Sequence, residues 1–206
     1  MFRYFYHSAF LSVPSAASVA KRLILAICAA LIASTASADE ASSLWSKLAD
    51  GGMVILLRHS PTVPGFYDPP GFSLDDCGSQ RLLSDAGRQH AKRLGAALRE
   101  HGVPVGRVLS SRFCRCIDTA ALAFGTVEPW EMLDNTGYDN DAVREEKRAA
   151  LREAASRWHS AGNLVLVTHG FNIREASGVT PAQGEMVILE PLGDEGFRVA
   201  GTLEVR

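Results

Sequence analysis

The sequence is short of the features that would place it quickly. Its 206 residues hold four cysteines, and only Cys77, Cys114 and Cys116 follow residue 38. That is too few for a small fold held together by disulfides, and the odd remainder allows one internal bridge at most. Excess charge of either sign is also missing. A formal net charge of -2 gives no global pull toward nucleic acid or an anionic membrane, so any anion site must be local. No apolar run reaches the 18 or so residues that a membrane span requires. No histidine stands at ligand spacing from the cysteines, which argues against a metal site there. No internal repeat is visible. What remains is a chain of ordinary composition, 47% hydrophobic, long enough for one good core and too short for two comfortable domains.

The first 38 residues stand apart. Lys21-Arg22 precede the apolar stretch Leu23–Ala33, and Ser34-Thr35-Ala36-Ser37-Ala38 follows, ending in Ala-Ser-Ala. A charged region, a short apolar core and a small-residue cleavage site are the parts of a secretory signal peptide. The expected division is a leader over 1–38 and a mature domain over 39–206, periplasmic or secreted, with no stable membrane span after cleavage. In an oxidising compartment the expected bridge joins Cys77 to Cys114 or Cys116. The latter two are poor partners for each other, pointing different ways on a helix.

The mature chain alternates strand and helix. Residues 41–49 read as a short helix stopped by Gly51-Gly52. Met53 to Leu57 is an apolar strand. From Ser60 to Gln80, prolines and glycines forbid regular structure, and so long a loop is often functional. Ser84 caps a helix whose inner stripe is Ala91, Leu94, Ala97 and Leu98. A second strand ends at Leu109, and a helix over 113–124 should turn Ile117, Ala120, Ala121 and Phe124 inward. A charged helix over 142–160 precedes the strand Asn163 to Val167, and a short helix spans 172–177. Two final strands, 185–190 and 197–205, form a hairpin. This pattern predicts an α/β fold: three layers, a mainly parallel sheet flanked by helices, and antiparallel edge strands. His90, His101 and His159 read as solvated.

Three buried strands end in the same kind of residue. The first runs into Arg58-His59, the second into Ser110-Ser111-Arg112, the third into Thr168-His169-Gly170. Parallel neighbours would bring these ends to one edge of the sheet, where α/β folds bind ligands. Two arginines and two histidines in one crevice make an anion pocket, since guanidinium forks match phosphate oxygens. Gly170 and the helix after it add backbone N–H groups.

These residues resemble the histidine phosphatase superfamily, of phosphoglycerate-mutase-like fold. Leu57-Arg58-His59 is similar to its R-H-G/A motif, Leu83–Ala91 to L-T-x-x-G-x-x-Q-A, Ser110–Ala120 to S-S-x-x-x-R-x-x-x-T-A, and Val167-Thr168-His169-Gly170 to its second-histidine motif. The resemblance implies a metal-independent phosphomonoesterase without cofactor. His59 would be the nucleophile that becomes phosphohistidine, and Arg58, His169 and a second arginine would hold the phosphoryl group. Nearness to the strand end favours Arg112 as that arginine, and motif spacing favours Arg115. The general acid is Glu185, Asp134 or Glu131, with Glu185 favoured. Ser60, where the family has Gly or Ala, stands at the pocket wall. The substrate class is a small or lipid-linked phosphomonoester, with no nucleic acid partner. Among exported relatives the chain looks most like the lipopolysaccharide core heptose phosphate phosphatase group. The alternatives are a phosphohistidine-protein phosphatase and a non-catalytic phospho-ligand binder on the same fold.

Overall fold

A computed structural model describes residues 39–205 of the protein. The expected leader at 1–38 lies outside the described residues. The helix α1 covers 39–50. There follow β1 (Val54–Arg58), α2 (Asp85–Glu100), β2 (Val105–Ser110), α3 (Cys114–Phe124), β3 (Glu128–Pro129), α4 (Asp141–Ser156), β4 (Asn163–Thr168), α5 (Gly170–Ser177), β5 (Met186–Pro191) and β6 (Phe197–Leu203). Among these residues no helix is long and apolar enough to cross a membrane.

The six strands form one sheet in the order β3-β2-β4-β1-β5-β6. β1 pairs parallel with β4, and β2 parallel with β4 and β3. β5 runs antiparallel to β1 and is covered in turn by antiparallel β6, which is the edge. The fold is thus the expected three-layer α/β architecture. Alternate residues of β1 serve different cores. Ile55 and Leu57 pack with Leu44 and Leu48 of α1, Leu94 and Leu98 of α2, and Cys116, Ala120 and Ala123 of α3. Val54 and Leu56 pack with Leu151 and Ala155 of α4 and Ile173 and Ala176 of α5. Because both faces are covered, the strands carry continuous apolar runs rather than alternation.

Local signals explain most element ends. Ser84 caps α2, its Oγ accepting from the Gly87 N–H at 3.0 Å. Asn140 caps α4 in the same way through the Val143 N–H. That helix ends at Ser156 rather than running to 160, and Trp158 packs from the following turn, donating its indole N–H to the Gly162 carbonyl. The expected inner face of α3 holds at Ala120 and at Phe124, which packs against the core, and fails at Ala121. Ala121 is exposed, whereas Arg115, Cys116, Thr119 and Ala123 are buried with Ala120. The pattern of apolar residues misled because this helix turns an arginine and a threonine into the protein. A disulfide joins Cys77 to Cys114, with Cα atoms 5.7 Å apart, and Cys116 is free and buried.

Candidate active site

The parallel register delivers the strand ends together. Arg58 pairs with Thr168, next to His169, and Ser110 pairs with Val167. His59 and His169 lie with ring centroids 5.6 Å apart. Both are about 2% exposed. They sit in a pocket of about 210 Å³ that is also lined by Arg58, Arg81, Arg115, Gly170, Phe66, Phe171 and Arg174.

His59 is held by a short chain of bonds. Its Nδ1 lies 2.9 Å from the Ser60 carbonyl, which can only accept, so Nδ1 carries the proton. That leaves Nε2 as the basic nitrogen, and it has no hydrogen bond among the described residues. The Ser60 N–H donates to Thr119 Oγ1, and Thr119 donates to the Arg115 carbonyl. Ser60 Oγ lies 3.0 Å from His90 Nδ1, while His90 Nε2 donates to the Val205 carbonyl. Gly184 makes room for this histidine: its φ is +83°, and an added Cβ would stand 2.2 Å from the imidazole. The Gly184 N–H in turn binds the Arg58 and His59 carbonyls. Ser60 is therefore fully buried behind the nucleophile, not on the pocket wall as expected. His90 is not solvated, and its position three residues after Gly87 and four before Leu94 on the buried stripe was the missed signal.

His169 has a defined tautomer too. The Ser111 hydroxyl donates its one proton to Asp134 Oδ1 at 3.1 Å, so His169 Nε2–H donates to Ser111 Oγ at 2.8 Å. Nδ1 then faces Arg115 Nη2 at 3.4 Å. Burial first, and the Arg115 charge second, hold both His59 and His169 well below the usual 6.5. Both rings are neutral at pH 7.

Of the two candidates for the second arginine, Arg115 is the one that lines the pocket. It is fully buried, its Nη1 donates to Asp68 Oδ1 at 2.8 Å, and its guanidinium lies 4.6 Å from the Phe113 ring centre. Burial works to raise the Asp68 carboxyl, but the Arg81 N–H and the Arg115 charge outweigh it and hold the group below its ordinary range. Arg112 is corrected. It leaves the strand end outward, 45% exposed, and forks onto Asp134 with Glu131 beside it. Two residues before α3 it lies outside the helix, whereas Arg115 is in the first turn, buried.

Arg81 was not singled out as a phosphate ligand by the sequence. It closes the long loop, donates to Thr62 Oγ1 and the Gly65 carbonyl, and lines the pocket. The Nε–H groups of Arg58, Arg81 and Arg115 are all buried without a partner. Buried guanidinium donors left open are costly unless an anion takes them. Arg58 is pinned through Nη1 to the Pro181 carbonyl, and Gly170 packs so closely that an added Cβ would meet its guanidinium at 3.3 Å.

The expected acids are not brought into this pocket. Glu185 stands just before β5 at the site edge rather than starting it, and its carbonyl takes the Arg58 N–H. Its carboxylate, however, folds back to accept from the Ala182 N–H at 2.7 Å. Asp134 is buried behind Ser111, ion-paired to Arg112. Glu131 is exposed. Among the described residues no carboxylate lines the pocket.

Residues 54–163 match the family model described as histidine phosphatase superfamily (branch 1). No curated protein sequence matches. Solved structures share the fold. A protein of Agrobacterium tumefaciens assigned as the phosphohistidine phosphatase SixA is 22% identical, with a TM-score of 0.50 over 75% of this chain and 98% of that one. The mycobacterial glucosyl-3-phosphoglycerate phosphatase is 16% identical, with a TM-score of 0.53 over 71% and 96%. The phosphoserine phosphatase of Entamoeba histolytica is 14% identical, with a TM-score of 0.53 over 75% and 98%.

Proposed function

The chain belongs to the histidine phosphatase superfamily, whose model spans more than half of it, and from that premise we propose that it is a phosphatase working through a phosphohistidine on His59. The observation that carries this reading is a neutral histidine whose Nδ1–H is fixed on the Ser60 carbonyl, beside three guanidinium groups, one fully buried and two half-buried, whose buried Nε–H donors are open. Neutral Nε2 attacks phosphorus in line with the leaving oxygen. Arg58, Arg81 and Arg115 take the charge that gathers on the phosphoryl oxygens, and His169, oriented by Ser111, completes the cradle. Water then cleaves the N–P bond. The guanidinium groups supply the charge neutralisation that a metal ion would otherwise give, so the proposed reaction uses no metal or cofactor.

We place the protein outside the cytoplasm, on the leader pattern at residues 1–38 and the Cys77–Cys114 bridge. The substrate proposed is a small or lipid-linked phosphate ester losing a terminal phosphoryl group. Within the superfamily the Gly184-Glu185 turn before an apolar strand, together with the leader, favours the exported branch that resembles lipopolysaccharide core heptose phosphate phosphatases. The lack of a lining acid favours a second reading, hydrolysis of phosphohistidine in proteins, because a protonated imidazole leaves without help from the enzyme.

Release of p-nitrophenol from p-nitrophenyl phosphate in the presence of EDTA tests the proposal. The wild type should turn it over and His59→Ala should not. Equal rates from the two proteins would remove the mechanism.

A further inference from the structure

The pocket wall holds more positive charge than one phosphoryl group uses. Four arginines line it, Arg58, Arg81, Arg115 and Arg174, and among the described residues the one carboxylate ion-paired to any of them is Asp68. That leaves three uncompensated positive charges. A bound phosphomonoester brings up to about two negative charges at neutral pH. The extra cation is Arg174. It is exposed, stands one helical turn beyond Gly170 on α5, and lines the same pocket as Arg58, His59 and His169. Its guanidinium rests 5.1 Å from the Phe171 ring centre and makes no ion pair among the described residues. Neighbouring charges on α5 and α4 find partners, Glu175 with Arg144 and Lys147 with Asp139. Arg174 alone of these is left facing the cavity.

Among the described residues the same wall has no lining carboxylic acid. A leaving group that departs as an alkoxide needs a proton in the transition state. A leaving group that is itself a phosphate departs as a stable anion and needs a cation instead. We infer that Arg174 forms a leaving-group subsite for a second phosphate, so that the substrate is a diphosphate ester cleaved at its P–O–P bridge. This inference rests on the phosphohistidine reading of His59. In the first step the His59 Nε2–P bond forms as the bridging P–O bond breaks. The electron pair stays on the bridging oxygen, which leaves on the inner phosphate beside Arg174 without taking a proton from the protein. Water then adds its oxygen to phosphorus, orthophosphate departs, one proton passes to solvent, and Nε2 is regenerated. The carrier beyond the second phosphate meets Phe66, which is 69% exposed, and Phe171. An aromatic rim of this kind takes a nucleoside or a prenyl chain.

The test compares kcat/KM of the full chain, in EDTA, for ADP, farnesyl diphosphate, p-nitrophenyl phosphate and 2-glycerophosphate, with wild type, Arg174→Ala and Arg174→Lys. At least one diphosphate should exceed 2-glycerophosphate by a hundredfold or more, and the faster of the two names the carrier. Arg174→Ala should lower the diphosphate to p-nitrophenyl phosphate ratio by about tenfold, with partial recovery in Arg174→Lys, as expected for the loss of one charge-assisted hydrogen bond. Inhibition by methylenediphosphonate should weaken more than inhibition by orthophosphate. An unchanged ratio in Arg174→Ala, or 2-glycerophosphate hydrolysed as fast as both diphosphates, overturns the inference while the phosphatase reading stands. Failure of the wild type on every substrate overturns both.

Discussion

At the scale of single residues, the two arginines of the second strand end divide the labour. Arg115 is fully buried against Asp68 and His169, while Arg112 is an exposed clasp on Asp134. Arg115→Lys keeps the charge but loses the fork, and should lower kcat/KM by about 10²–10³-fold, the usual cost of one donor to a developing oxyanion. Arg112→Ala takes the guanidinium from the buried Asp134 carboxylate, so it should cost about 1–3 kcal/mol in urea unfolding while leaving turnover nearly intact. Glu185→Gln should show none of the about 10²–10⁴-fold loss that removal of a general acid brings. Steady-state kinetics on the three variants checks the rates. A pH profile follows from the same neighbours. Burial and Arg115 hold His59 well below 6.5, so the acid limb of kcat/KM should lie well below that value rather than at it. A limb near 6.5 would mean that the ring is open to water.

These residues also show what the sequence could and could not tell. His59, Arg58 and His169 were legible because each ends an apolar run, and parallel strands put such ends together. Arg115 was legible only through motif spacing. By helix periodicity it looked like a surface charge, since the Asp68 that neutralises it comes from a loop 47 residues away. Arg81 was legible only as part of a loop that could overhang the pocket, and the direction of the Glu185 side chain had no local signal. The first depends on where a long loop returns, and the second on which of two nearby groups a carboxylate caps.

At the scale of elements, the loop between β1 and α2 is the part built for this site. It supplies Asp68 to Arg115, and Phe66 and Arg81 to the pocket wall, while Tyr138 grips Asp68 through its hydroxyl. The loop has little regular structure to hold it, and the Cys77–Cys114 bridge ties it to the first turn of α3. The bridge closes 37 residues of chain, for which chain-entropy arguments give about 3–4 kcal/mol. The double variant Cys77→Ala/Cys114→Ala should lose about that much in urea unfolding. It should also lose activity before it unfolds, as Asp68 drifts from Arg115. Loss of stability without loss of activity would show that the loop is held by its side chains alone. The strands and their order were readable because apolar runs on both faces leave few alternatives. The α3 face was readable only in part, because its buried side is chosen by the site.

At the scale of the whole molecule, the buried neutral histidines make stability depend on pH. Both His59 and His169 titrate lower in the folded chain than the ordinary 6.5. In the window below 6.5 the unfolded chain therefore binds protons that the folded chain refuses. The stabilisation is fully present above 6.5 and is lost as pH falls toward the lowered values. Thermal unfolding should show Tm falling from pH 7.5 to pH 5. Orthophosphate should offset part of the loss, since an anion among Arg58, Arg81 and Arg115 favours the folded state by mass action. A Tm that rises over that interval would contradict neutral, buried imidazoles.

In the proposed reaction His59 becomes covalently phosphorylated. Rapid quenching during turnover of ³²P-labelled substrate, followed by acid and alkali treatment, tests it most directly. The wild-type chain should carry label that is lost in acid and kept in alkali, maps to His59 and is absent from His59→Ala. Turnover by the wild type with no labelled chain at any quench time, or label that persists in His59→Ala, would contradict it.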